Sequence, residues 1–208
     1  MSQHLVIRWT IVPGTAPRPL INCNRCGPAK AYRSSDKFRV NANGKRIDVW
    51  LIYRCVDCDN SWNFGIFERC NRRDIEPALL RALESNDPAL ARRHAFDIVA
   101  LRNQAGRVEE FPDVAVDKQV LAGTRDSAAA LELRLGLDMP TSLRLDRLLA
   151  NELGISRSRL QALEERRLLV VDPDGTKALR KAARTGTTVR VDLANEPDRQ
   201  AIIRAAGG

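Results

Sequence analysis

Four cysteines are the residues best placed to do chemistry. They form two Cys-x-x-Cys pairs, Cys23 with Cys26 and Cys55 with Cys58. In such a pair the two intervening residues make a tight turn that aims both sulfurs at one point. Two pairs brought together offer the four thiolates that a tetrahedral zinc ion accepts. The alternatives are two redox dithiols or four buried thiols. A redox pair sits at a helix start, where the helix dipole lowers the thiol pKa, and neither pair here opens a helical pattern. The reading is therefore one structural Zn2+ ion. Its shell is filled by cysteine, so no position is left for catalysis, and its binding contributes on the order of 10–16 kcal/mol to folding. The fifth cysteine, Cys70, reads as a spare buried thiol, and His4 and His94 as surface or core histidines rather than ligands.

The second set is basic. Arg144, Arg157 and Arg159 fall near the starts of two helical patterns, and Lys177, Arg180, Lys181 and Arg184 crowd one loop. Guanidinium forks beside free backbone N–H groups form a phosphate-binding arrangement. The alternative is a solvated helix face whose arginines pair with Glu152, Glu164 and Glu165. Arg39, Lys45 and Arg46 decorate a hairpin that also carries Trp50 and Tyr53, with Trp62 close by, a mixture that suits phosphate contact and base stacking; the alternative is that the aromatics form the core that a small ribbon needs. The net charge is +8 over 208 residues, which favours a polyanionic partner. Residues 1–73 and 141–193 are basic, and residues 74–140 between them are acidic.

These groups need elements to position them. Leu5–Val12 alternates as a strand. Lys37–Val40 and Ile47–Arg54 read as two strands joined at Asn43-Gly44, which returns the chain across the 28 residues between Cys26 and Cys55. From Asp74 the period becomes helical. Asp87-Pro88 is a cap followed by proline at the first helical position, and a weaker helix is expected over Ser127–Leu135. Leu145, Leu148, Leu149 and Leu153 make a stripe closed by Gly154, and Ser156 caps a second helix. Leu168–Val171 and Val189–Leu193 read as strands, with a turn at Asp172-Pro-Asp-Gly175. The expected architecture is α+β. A zinc ribbon covers 1–73, a helical middle 74–140 and a small α/β domain 141–193, with a tail at 194–208.

The run Arg144-Leu-Asp146-Arg-Leu-Leu149, Ser156-Arg-Ser-Arg-Leu160, Leu168-Leu-Val-Val171 and Gly186-Thr-Thr-Val-Arg-Val191 resembles the RNA-binding domain named after small-subunit ribosomal protein four, the S-four or alpha-L domain. The resemblance implies that Arg144, Arg157 and Arg159 face RNA. The sequence departs from that family in Glu164-Glu-Arg-Arg167, where the family has a glycine, and in Gly186-Thr187. The segment from Lys37 to Cys55 resembles a bacterial family of unknown function whose label supplies no activity.

The function expected is an accessory protein that binds structured RNA, ribosomal RNA or tRNA, alone or on a ribosome or another complex. A protein–protein adaptor, using the ribbon and the acidic helices, is the alternative. No nucleophile–base set, glycine-rich phosphate loop or small-molecule site is evident, so an enzyme is not expected. No apolar run approaches the roughly 20 residues of a spanning helix, and no signal peptide is read, so the expected location is the cytoplasm.

Overall fold

A computed structural model of the protein describes residues 4–173 and 177–208. The fold is α+β. In chain order the strands and helices begin with β1 (His4–Pro13), β2 (Arg18–Cys23), β3 (Gly27–Asn43), β4 (Arg46–Cys55) and β5 (Ser61–Asn71). Three short helices follow, α1 (Pro77–Glu84), α2 (Pro88–Ala95) and α3 (Ile98–Ala105). Then come β6 (Val108–Glu109), β7 (Val114–Ala122), β8 (Ala130–Leu137), α4 (Leu145–Leu153) and α5 (Arg157–Glu165). The chain closes with β9 (Leu169–Asp172), β10 (Thr188–Asp192) and α6 (Arg199–Gly207). It folds as two compact units, one of Met1–Gly14 with Pro112–Gly208, the other of Thr15–Phe111.

The first unit is a five-stranded sheet in the order β7-β1-β8-β10-β9. β1 and β8 run parallel and the other neighbours antiparallel. Side chains alternate across a strand, so β1 turns Leu5, Ile7, Trp9 and Ile11 to one face, each fully buried. Leu131, Leu133 and Leu135 of β8 join them in register. Each fully buried large side chain contributes about 1.5–3 kcal/mol. The same core takes Leu145, Leu148, Leu149 and Leu153 from α4, Leu160 and Leu163 from α5, and Ile202 and Ile203 from α6. The last carbonyls of α6 have no partner inside their helix. The Trp9 indole N–H reaches Ala206 O at 2.8 Å, Lys118 Nζ reaches Ala205 O at 2.8 Å, and Arg125 Nη2 reaches Gly207 O at 2.8 Å.

The second unit is an antiparallel sheet in the order β5-β4-β3-β2-β6. Its core gathers Tyr32, Ile47, Val49, Leu51, Tyr53 and Phe64 from the sheet with Leu80, Leu83, Leu90 and Leu101 from α1, α2 and α3. The expected hairpin is present as β3–β4, shifted by one residue. Asn43 pairs with Arg46 as the last ladder step, and the turn is Gly44-Lys45. Gly44 takes φ +60° at the first central position, as a type II′ turn requires. Asp87 caps α2 as read, its carboxylate accepting from Leu90 N at 2.7 Å.

Four expectations are corrected. The early strand does not belong to the cysteine-bearing region. β1 lies between β7 and β8, because its apolar face matches theirs. The helix expected over Ser127–Leu135 is the strand β8, whose leucines alternate with a period of two. The run 74–140 is therefore not a helical middle. It is divided between the two units, and both are basic, with 17 Lys and Arg against 12 Asp and Glu in Thr15–Phe111. The expected tail contains α6, which the core of the first unit buries. Of the turn expected at Asp172–Gly175, Asp174 and Gly175 lie outside the described residues.

Candidate metal centre and basic cluster

The two Cys-x-x-Cys turns are built alike. Cys23 ends β2 and Cys55 ends β4, and each chain then turns so that the second cysteine comes back over the first. The residue after each turn has positive φ, Gly27 at +91° and Asp59 at +57°. β3 lies between β2 and β4 and brings the turns together. Val56 N donates to Ala31 O at 3.0 Å, and Cys55 N to Asn60 O at 2.9 Å.

All four sulfurs lie within 4.8 Å of one another, and Cys23 Sγ is 3.5 Å from Cys58 Sγ. A tetrahedral zinc with bonds of 2.3 Å sets its sulfurs about 3.8 Å apart, whereas a disulfide needs about 2.05 Å. The spacing fits a shared divalent ion, and all the cysteines are free. Cys23 and Cys55 are buried, with Cys26 and Cys58 half-buried. A hydrogen bond from Tyr32, with N–H donors from Arg25 and Cys26, holds the Cys23 thiol down at about 5 against burial. Asn60 Nδ2 also approaches Cys23 Sγ, at 3.8 Å. Cys58 and burial push Cys26 up to about 12. Four thiolates this close repel one another, and a divalent cation relieves that conflict. Tyr32 and Asn60 thus act as outer partners of the sulfurs. Sequence spacing gave no signal for either. Cys70 is half-buried on β5, in register with Ile47 and apart from the cluster.

Two of the C-terminal arginines, Arg144 and Arg157, are organised by one carboxylate. Asp146, in the first turn of α4, is 1% exposed. Arg144, the residue that begins this helix, reaches it with Nε at 3.1 Å and Nη2 at 2.6 Å. Arg157, the first residue of α5, reaches the same carboxylate with Nε at 3.3 Å and Nη2 at 3.2 Å. The carboxylate is buried, while the two arginine side chains remain 44% and 54% exposed. Ser156 caps α5 by accepting from Arg159 N at 3.1 Å. The Arg159 side chain is differently employed. It pairs with Glu196 at 3.0 Å and with Asp198, and Arg166 shares Glu196 at 3.2 Å. Of the three glutamates that the alternative reading paired with these arginines, Glu152 instead holds Lys118 at 2.8 Å.

Lys177, Arg180, Lys181 and Arg184 are all exposed, on a loop anchored by buried Ala178, Leu179 and Ala183. That loop runs beside the start of α4. Leu145 N donates to Lys181 O at 2.9 Å and Ala183 N to Leu143 O at 2.9 Å, so Arg144 faces Ala182 across a short bridge. In the second unit, Arg39 lies over the Trp50 ring at 5.9 Å, Arg46 donates to Arg69 O at 2.8 Å, and Lys45 sits in the exposed hairpin turn. Tyr53, by contrast, packs edge-on against both Trp62 and Phe64 around the core and is fully buried. The sequence offered Trp50, Tyr53 and Trp62 for base stacking, and for Tyr53 the core position rules that out.

A family model described as a protein of unknown function, DUF1062, matches residues 40–174. The chain belongs to this family. No curated protein and no solved structure matches it. The stretch matched by DUF1062 takes in Cys55, Cys58 and the whole Arg144–Asp146–Arg157 cluster, and it draws on both units. Cys23 and Cys26 precede it, and the loop cations Lys177–Arg184 follow it. Among the described residues no helix is long and apolar enough to cross a membrane.

Proposed function

We propose that this DUF1062 protein is a zinc-containing accessory protein that binds structured RNA. The observation that carries the reading is the buried Asp146 carboxylate, which presents two half-exposed guanidinium groups side by side. Arginine forks bind phosphate in two-point fashion, and a fork held in place loses less entropy on binding. Lys177, Arg180, Lys181 and Arg184 add four exposed charges on the adjoining loop. Shape and phosphate contact of this kind are how paired RNA is recognised. The order α4, α5, β9, β10 supports the S-four likeness, and the paired cysteine turns support a zinc ribbon. In this reading Zn2+ is structural, Arg159 contributes charge without direct contact, and Arg39, Lys45 and Arg46 are accessory contacts. The protein works in the cytoplasm by binding rather than by catalysis, on ribosomal RNA or tRNA.

The test is binding of zinc-loaded protein to a structured RNA and to duplex DNA across a salt series. The expected result is tighter binding to RNA, with log affinity falling steeply as log salt rises, by about 0.7–0.9 for each phosphate neutralised. Absence of binding to either at moderate salt contradicts the reading and turns attention to a protein partner.

A further inference from the structure

A groove of about 510 Å³ includes Ala182, the bridge partner of Arg144, in its lining. One wall is the segment Leu137–Thr141 and the other is Ala182–Thr185. Thr185 Oγ1 ties them by accepting from Leu137 N at 3.0 Å. The lining is mainly apolar, with Leu137, Met139, Pro140, Ala182 and Ala183, and it also carries Asp138 and Arg184. Two facts connect this groove to the phosphate-binding cluster. Ala182 lines the groove and is the bridge partner of Arg144. Lys181, exposed and next in the chain, gives its carbonyl to Leu145 of α4.

Resting on the RNA reading above, we propose that this groove receives a single unpaired nucleotide of the bound RNA. An apolar slot of this volume holds one base and its sugar. Methylene and methyl groups cover the faces of a base, and the cations at the rim meet the flanking phosphates. Paired RNA keeps its bases stacked inside the helix, so only a bulged or terminal nucleotide reaches such a slot. An apolar peptide would fill the volume equally well, but it would not use Arg184 of the lining or the exposed Lys181 and Arg144, the chain neighbour and the bridge partner of Ala182, which together outnumber Asp138. Charge complementarity therefore favours a nucleotide. The protein would distinguish RNA carrying a bulge from uninterrupted duplex, which phosphate contacts alone cannot do.

The experiment measures binding of zinc-loaded, full-length protein to an RNA duplex of about 16 base pairs and to the same duplex with one bulged nucleotide. Wild type is compared with Ala182→Phe, which fills a half-buried position in the groove, after circular dichroism has shown the variant folded. Met139→Ala, which removes part of the floor, stands in if the first variant does not fold. The expected result is a preference of roughly tenfold for the bulged RNA, lost in the variant while duplex binding persists. Equal wild-type binding to both RNAs overturns the groove assignment and leaves the RNA reading standing. A preference that survives in the variants also overturns it. Failure of wild type to bind either RNA removes the RNA reading itself, and the groove assignment with it.

Discussion

Asp146 is the buried charged side chain of the described structure. An isolated carboxylate there would cost several kcal/mol, and the Arg144 and Arg157 guanidinium groups offset that cost. The same ion pairs fix where the two arginines can point. Sequence spacing placed both arginines at helix starts but gave Asp146 no part, because a pair eleven residues apart across two helices has no local signature. It also counted Arg159 as equal to the others, and its pairing with Glu196 and Asp198 depends on the fold of the last fifteen residues. His94 carries a second residue-scale consequence. Burial lowers its pKa below the ordinary 6.5, against an opposing pull from Asp97, with Arg93 adding to the lowering and Phe38 packed edge-on. The neutral form is favoured in the folded state, so the unfolded chain takes up the proton first as pH falls. The stabilisation present above 6.5 is lost as pH drops below it. Thermal melting of the second unit is expected to move down between about pH 7.5 and 5.5, and by less in His94→Gln. Equal shifts in both proteins would show that His94 does not contribute.

Elements were legible where their signals were local. The turn glycine, the Asp87 cap and the leucine stripe of α4 each lie within a few residues: α4 formed as read, β3–β4 formed with its turn one residue on, and the helix capped by Asp87 stops at Ala95, with Ile98 and Leu101 in the separate α3. β8 shows the opposite case. Alanine, leucine, glutamate and arginine all favour helix, so composition pointed one way while Ala130-Leu-Glu-Leu-Arg-Leu alternated the other way. Burial of Leu131, Leu133 and Leu135 against β1 and β10 decides for the strand. α6 was passed over for a related reason. Its apolar content is five small or medium side chains, three alanines and two isoleucines, and its carbonyls are capped by Trp9, Lys118 and Arg125 from far along the chain.

At the scale of the molecule, the division into units follows pairing that no linear reading reaches. β1 and β8 are parallel partners more than a hundred residues apart, so the first fourteen residues fold with the last ninety-seven. The cysteine cluster lies wholly within Thr15–Phe111. Removing the metal with a chelator is therefore expected to melt that unit, because metal binding and folding share one free energy. The sheet of β1, β7, β8, β9 and β10 is expected to persist. Amide hydrogen exchange distinguishes the two, with protection lost in β3 and β4 and retained in β1 and β8. Uniform retention in both units would show that no metal supports the fold.

In the proposed function, the buried Asp146 carboxylate positions the arginines that meet RNA. Asp146→Asn adds one positive charge to the protein while removing the group that holds Arg144 and Arg157. The most direct measurement is the RNA affinity of this variant beside wild type and Arg144→Ala/Arg157→Ala, each confirmed folded, over one salt series. Asp146→Asn is expected to bind RNA more weakly, by roughly three- to tenfold, despite its higher charge. The double arginine variant is expected to lose between about one and two units of salt slope. Tighter or unchanged binding by Asp146→Asn would mean that net charge alone governs association, and would contradict the account.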